Sequence, residues 1–308
     1  MYFELKHLCL QLMRLISKRE KIVPRSGPNP WSRVISLAYL TVRGASPLQQ
    51  IECACRCGYS HVGLRFLPVV EHECLTDTAR SPQRLRATQR ALEDSGIQVL
   101  DVEFFWIKPD TNIAGFEPYI AAAERLGARN LLVGVRDPDR RRLADHWLEF
   151  CDLAARHHLR ANVEFMPFPD MTTLNTYAAA IDFVSSAAHS SGGITIDAIH
   201  FERSGSRPSE ILPEHHAFFS FVQMCDAAAS QFTLEEMQRQ ARSDRLVLGR
   251  GGLNLINLLN ALPINLPVSL EVPLAGEAQN WPAVQKAQLV FDTARELLTR
   301  RPYPVGAC

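Results

Sequence analysis

The chain of 308 residues carries 33 Lys+Arg against 33 Asp+Glu, a formal net charge of zero, with 46% hydrophobic and 21% charged residues. That balance leaves no electrostatic footprint for nucleic acid or an anionic membrane surface, and the composition is that of a globular chain rather than a disordered one. No apolar run reaches the ~18–20 residues that a membrane span needs, so the expectation is a soluble protein with neither nucleic-acid nor membrane partners.

The beginning of the chain differs from the rest. Leu8-Cys9-Leu10-Gln11-Leu12-Met13 is apolar, but Arg14, Lys18, Arg19 and Lys21 follow it at once. A secretory signal puts its charges before the apolar stretch and a small-residue cleavage site after it; here only Lys6 precedes, and no such site follows. Pro24, Gly27, Pro28 and Pro30 then mark a turn-rich boundary. Residues 1–33 are expected to be an N-terminal extension, partly helical or disordered, ahead of a main fold over 34–300 and a C-terminal tail over 301–308.

From Val34 onward, short runs rich in β-branched and aromatic residues alternate with longer amphipathic stretches. Strands are expected at 35–42, 61–66, 99–107, 130–136, 160–166, 193–199, 219–225 and 267–272. Helices are expected at 82–95, 118–126, 141–157, 172–188, 233–242 and 281–298, with Leu143, Trp147, Phe150, Cys151 and Ala154 forming an apolar stripe at spacings of three and four. Gly58, Gly96 and Gly127 stand where helices would end, just before strands. Eight strands, each followed by a helical or turn-helix segment, make the pattern of a single (β/α)8 barrel of ~250 residues. A doubly wound open sheet would more often begin with a Gly-rich phosphate turn, and Arg43-Gly44-Ala45-Ser46-Pro47 after the first strand is not one.

Three of the eight cysteines form Cys53-Ala54-Cys55-Arg56-Cys57, inside a helical pattern that splays the thiols. No paired C-x2-C zinc spacing is present. Small buried hydrophobes in a reducing, cytoplasmic compartment are the expectation.

In a barrel of this kind the active site lies at the C-terminal ends of the strands. Four successive strands each carry one oxygen-bearing side chain there among apolar neighbours: Glu164, Asp197, Gln223 and Glu271. Three carboxylates and an amide oxygen converging at a barrel mouth repel one another unless a divalent cation compensates. All-oxygen ligation points to Mg²⁺, Mn²⁺ or Ca²⁺ before zinc.

The run Glu164, Asp197-x-x-His200, Gln223-x-x-Asp226 and Ser269-Leu270-Glu271-Val272-Pro273 resembles the xylose-isomerase-like TIM-barrel superfamily, whose members include sugar-phosphate isomerases and epimerases, inosose dehydratase, 3-dehydroshikimate dehydratase and endonuclease IV. Val62-Gly63-Leu64-Arg65, Asp101-Val102-Glu103, Phe201-Glu202-Arg203-Ser204-Gly205, and Asp244-Arg245-Leu246 ahead of Gly249-Arg250-Gly251 are similar to it as well. The resemblance covers about residues 34–300 and implies that Glu164, Asp197, Gln223 and Glu271 are metal ligands. It implies Mn²⁺ or Mg²⁺ first, with Co²⁺ or Zn²⁺ as alternatives. Many epimerases of the superfamily have His where Gln223 stands, and Gln resembles the 3-dehydroshikimate dehydratase branch. Endonuclease IV needs more metal-binding histidines than these strand ends supply.

A divalent ion gripping a carbonyl and a neighbouring hydroxyl makes the adjacent C–H acidic. A carboxylate that removes the proton leaves an enediolate; returning the proton elsewhere isomerises or epimerises, and expelling a β-hydroxyl dehydrates. The resemblance implies Glu164 and Glu271 as the acid–base pair. His200 would orient substrate or shuttle a proton near neutral pH. Arg65, Glu103, Arg203 and Arg245 are candidate substrate contacts, with Arg136 and Arg207 behind them. The expected activity is a metal-dependent isomerase or epimerase of a sugar or sugar phosphate; the alternative is a dehydratase of a cyclic keto-polyol or keto acid. The expected partner is that small molecule, with homo-oligomers left open. A binding barrel without activity would tolerate a lost ligand, and a metal-free aldolase-like barrel would need a strand-end Lys, for which Lys108 is the one candidate.

Overall fold

The strand segments are apolar on both faces because both are covered, by helices outside and by side chains inside. In the computed structural model, which describes residues 33–70, 73–229 and 232–299, eight strands close in sequence order with every pair parallel. They are β1 (Ile35–Leu37), β2 (His61–Arg65), β3 (Gln98–Ile107), β4 (Asn130–Val135), β5 (Arg160–Glu164), β6 (Gly192–Asp197), β7 (Phe219–Met224) and β8 (Val268–Leu270). Closure runs through Ile35–Val268, Ser36–Ser269 and Leu37–Leu270. This is the expected (β/α)8 barrel. The expected N-terminal extension, up to residue 32, and the 301–308 tail lie outside the described residues.

Nine α-helices are described: α1 (Pro47–Cys57), α2 (Pro82–Ser95), α3 (Glu117–Arg125), α4 (Arg140–Arg156), α5 (Tyr177–Ala187), α6 (Ala198–Arg203), α7 (Leu234–Ser243), α8 (Leu255–Ala261) and α9 (Ala283–Thr299). Their starts are chemically marked. Ser46 and Gln49 form a reciprocal capping box at α1, and Gly58 and Gly96 end α1 and α2 with φ of +92° and +72°, a region costly for a side chain. The stripe of α4 is wholly buried from Leu143 to Ala154, each large member contributing about 1.5–3 kcal/mol of burial. None of the described helices is long and apolar enough to cross a membrane.

Three boundaries differ from expectation for physical reasons. The first strand stops at Leu37, and Tyr39–Val42 winds into a 3-10 turn. Thr41 Oγ1 donates to the Leu270 carbonyl and accepts from Val272 N–H, both at 2.8 Å, which ties that turn to the end of β8. The helix expected from residue 172 begins only at Tyr177, because Thr176 caps it by accepting from Ala179 N–H at 3.2 Å. The sixth strand ends at Asp197, whose carboxylate accepts from Ile199 N–H at 2.9 Å and starts α6.

Two apolar cores result. The larger fills the layer between strands and helices. A smaller one joins Leu100, Phe104, Leu132 and Phe221. Leu132 on β4 and Phe221 on β7 are three strands apart in a closed barrel, so they meet across its interior. Cys53, Cys55 and Cys57 are buried and free, and burial pushes the Cys57 thiol up to about 12, as small core hydrophobes should behave.

Candidate active site and metal centre

Strand ends place the polar side chains. Glu164 and Asp197 are the last residues of β5 and β6, Gln223 is the penultimate residue of β7, and Glu271 follows β8. Register puts Asp197 beside Gln223 and Gln223 beside Ser269, two residues before Glu271. His200 lies in the short helix that Asp197 caps. All five are at most 4% exposed.

Glu164, Asp197 and His200 offer ligand atoms that lie within 4.8 Å of one another, with His200 Nε2 3.8 Å from Glu164 Oε1. Gln223 Nε2 donates to Glu271 Oε1 at 3.0 Å, and its own Oε1 is buried with no partner. Arg245 Nη1 donates to Asp197 Oδ2 at 2.7 Å, while Nη2 lies 3.1 Å from Glu271 Oε2. Nε and Nη2 donate to the Ala241 carbonyl, which fixes the guanidinium in place.

Environment separates the acids. Burial, then the Asp197 and Glu271 charges, holds Glu164 well above the usual carboxylate range. Burial pushes Glu271 up to about 8 against the pull of Arg245. Burial also opposes ionisation of Asp197, but Arg245, His200 and the Ile199 amide overcome it and hold this carboxyl below its ordinary value. Burial lowers His200 to about 4; the Asp197 charge raises it by more than the Arg245 charge lowers it but does not overcome burial. At such a value the imidazole is neutral near pH 7, which suits a hydrogen-bonding, substrate-orienting or metal-ligating group.

The donor set fits a divalent cation. A buried amide oxygen without a hydrogen-bond donor, in a cluster of carboxylates that cannot all ionise together, is what a bound dication would satisfy. One imidazole among oxygen donors suits Mn²⁺, Co²⁺ and Zn²⁺ as well as Mg²⁺.

Above these groups opens a cleft of about 680 Å³ of empty space, part of it open to solvent. Glu164, His200, Arg245, Glu271 and Arg65 line it, with Phe104, Trp106, Met166 and Phe168 as apolar wall. Gly134 on β4 makes room for that wall: a Cβ there would lie 2.3 Å from Phe104 Cε1 and 2.7 Å from Trp106 Cζ3. Arg65 is held between Glu73 at 3.4 Å and Glu103 at 3.3 Å, with its guanidinium over the Tyr39 ring at 4.6 Å. Glu103 is thus brought beside Arg65, and burial raises its pKa against that pairing.

Arg203 is not among the cleft-lining residues. It donates to the Ala228 carbonyl and to Gln240 and stacks on Phe232, joining α6 to the segment before α7. Arg207 is 79% exposed beside Glu210, and Lys108 is exposed beyond β3. Asp226 anchors a loop instead of facing the site: its carboxylate accepts from the amides of Ala227, Gly249, Gly251 and Leu253 at 2.9–3.1 Å. A Cβ on Gly251 would sit 2.3 Å from Asp226 Oδ1, which accounts for the glycine. Sequence reasoning missed Glu73, Arg43 and Arg242 at the cleft and ranked Arg136 low; Arg136 had one signal, its place immediately after a strand.

Comparison with known proteins adds the family. Residues 51–293 match the family model described as xylose isomerase-like TIM barrel, and no curated protein matches the chain. Among solved structures it is similar to the IOLI protein with a binding zinc atom, at 17% identity over 87% of this chain and 99% of that one, TM-score 0.71. It is similar to D-psicose 3-epimerase with D-tagatose from Clostridium cellulolyticum H10, at 15% identity over 86% and 99%, TM-score 0.64. A xylose isomerase-like TIM barrel/4-hydroxyphenylpyruvate dioxygenase fusion protein also matches at 20% identity, TM-score 0.70; it covers 89% of this chain, which spans only 45% of that protein's length. At these identities the structural likeness shows the fold. The family match spans most of the barrel, from α1 into α9, and the chain belongs to the xylose isomerase-like TIM-barrel family.

Proposed function

We propose that the protein is a divalent-metal-dependent isomerase or epimerase that moves a proton at a carbon beside the carbonyl of a sugar or sugar phosphate. The observation that carries this is the pair Glu164 and Glu271, buried on non-adjacent strands at the cleft floor with pKa values held above the ordinary range. Carboxyls tuned upward in this way are suited to take and return a proton near neutral pH. A cation held by Glu164, Asp197, Gln223, Glu271 or His200 would polarise the carbonyl as a Lewis acid. The zinc named for the IOLI structure and the epimerase activity named for the D-tagatose complex support this reading.

In this scheme Glu164, ionised, takes the proton from the carbon acid and Glu271, its carboxyl raised to about 8 by burial, supplies one to the neighbouring carbon or the opposite face. Arg245 fixes the Glu271 carboxyl by its 3.1 Å contact, and Gln223 holds the other oxygen. Phe104 and Trp106 exclude water from one side.

The test incubates Mn²⁺-loaded protein with ketohexoses, inososes and 3-dehydroshikimate in D₂O. Deuterium uptake with interconversion of sugars supports the proposal; no uptake with any substrate while metal is bound sinks it. A second reading is dehydration, in which the same carbanion expels a β-hydroxyl and Glu271, its carboxyl raised to about 8, supplies the proton with which that hydroxyl leaves as water. A new conjugated absorbance from 3-dehydroshikimate or an inosose, in place of sugar interconversion, would mark that reading, with metal content measured alongside.

A further inference from the structure

Five arginines and three glutamates line the cleft. Two of the arginines are already matched: Arg65 by Glu73 and Glu103, Arg245 by Asp197 and Glu271. Among the described residues, Arg43, Arg136 and Arg242 make no ion pair. They nevertheless gather at one corner. Arg136, just past β4, lies over the Trp106 ring at 4.7 Å, and its Nη2 is 3.5 Å from Met171 Sδ. The same sulfur is 3.8 Å from Nε2 of Gln238, one turn before Arg242 on α7. Arg43 donates to the Arg242 carbonyl at 2.9 Å. Arg136 Nε is buried without a partner.

Like charges packed this way repel. Burial and the Arg242 charge hold the Arg136 guanidinium below its ordinary pKa, and Asp170 offsets this in part. A bound cation on the floor would add further positive charge to the same cleft. A neutral polyol relieves none of it, whereas an oxyanion relieves all of it, and Arg presents the planar fork that carboxylate and phosphate oxygens match.

We propose that Arg136 and Arg242, with Arg43 behind them, form an anion subsite that binds the carboxylate or phosphate at the end of the substrate away from Glu164 and Glu271. The inference rests on the proton-transfer reading of the floor and narrows its substrate class to acids: a sugar phosphate or a polyhydroxy keto acid. Trp106 and Met171 hold the Arg136 fork in place, and α7 supplies the second fork.

The experiment titrates inorganic phosphate and, separately, glycolate into the full-length protein with EDTA present, following binding by calorimetry and by tryptophan fluorescence, with Trp106→Phe as the optical control. At least one anion should saturate. Arg136→Met and Arg242→Met should each weaken it about tenfold, the double variant should abolish it, and Arg136→Lys should restore part. Tighter phosphate binding would mark a sugar phosphate; tighter glycolate, a keto acid. Saturation by neither anion, or wild-type affinity in the double variant, overturns the proposal. With metal removed and no turnover measured, failure here is separate from failure of the deuterium-exchange test.

Discussion

The guanidinium of Arg245 lies 2.7 Å from the carboxylate of Asp197, and both side chains are almost wholly withdrawn from water. A fixed monocation therefore already stands against two of the four groups that sequence reasoning assigned to a metal, because Glu271 is its second partner. Such a pair contributes little over an apolar substitute, but losing one member leaves a buried charge uncompensated.

Arg245→Met should accordingly lower stability by about 3–5 kcal/mol in metal-free protein. Because a dication can take over the same role, Mn²⁺ should raise the variant's melting temperature by more than it raises wild type. Equal metal-induced shifts, measured by calorimetry, would show that Arg245 and the cation do not share Asp197 and Glu271.

Divalent-ion binding itself can be read without activity. A ligand at a hundred times its Kd stabilises the folded state by about 2.7 kcal/mol, and Glu164→Gln or Asp197→Asn should remove most of that gain. Gln223→Leu tests the unpartnered amide oxygen, and it too should weaken the ion. Titration calorimetry showing wild-type affinity in Gln223→Leu would place the amide outside the coordination sphere.

The raised carboxyls give stability a pH dependence of definite sign. Glu271 titrates at about 8 when folded and near the ordinary 4.3 when unfolded, so the folded state binds the extra proton between those values. Its stabilisation is full below the lower value and is lost as pH rises through about 8. Glu164 acts in the same direction. His200, depressed to about 4, acts in the opposite direction but only below about 6.5. Metal-free protein should therefore lose stability from pH 6.5 to 8.5, and Glu271→Gln should shallow that slope. Chemical denaturation at three pH values decides it.

Gly134→Ala tests the cleft wall. The added methyl meets both rings at less than van der Waals distance, so Phe104 or Trp106 must shift, at about 1–3 kcal/mol. Denaturant titration should show that loss, and an altered Trp106 emission should accompany it. An unchanged spectrum would mean that the rings are not seated against Gly134.

The barrel was legible because strands covered on both faces leave continuous apolar runs, and because the helices between them carry periodic stripes such as that of α4. Glu164, Asp197, Gln223 and Glu271 stood out for the same reason, each an oxygen-bearing side chain set in an apolar strand. The end of β1 was not legible: residues 38–42 are apolar but for Thr41, and the partners that bend them through its hydroxyl, Leu270 and Val272, are over two hundred residues away in sequence. Nor could sequence show that Arg245 turns inward while Arg203 stacks on Phe232, since both are arginines in the segments between strands. Arg136 and the helix that carries Arg242 are joined through Met171, which touches Arg136 and Gln238 from the loop ahead of α5, one residue before the expected helix.

Leu100, Phe104, Leu132 and Phe221 fill the barrel's interior, and that fixes how the chamber communicates with its surroundings. With apolar side chains packed across it, traffic of water, protons and ligand runs by way of the rim. A hydrogen lifted from carbon onto Glu164, a side chain 4% exposed, has that side as its way out to solvent. Because Glu271 delivers the incoming proton, isotope carried in on the substrate should leave by the rim from Glu164 while solvent isotope enters the product, so that label lost and label gained are two separate counts.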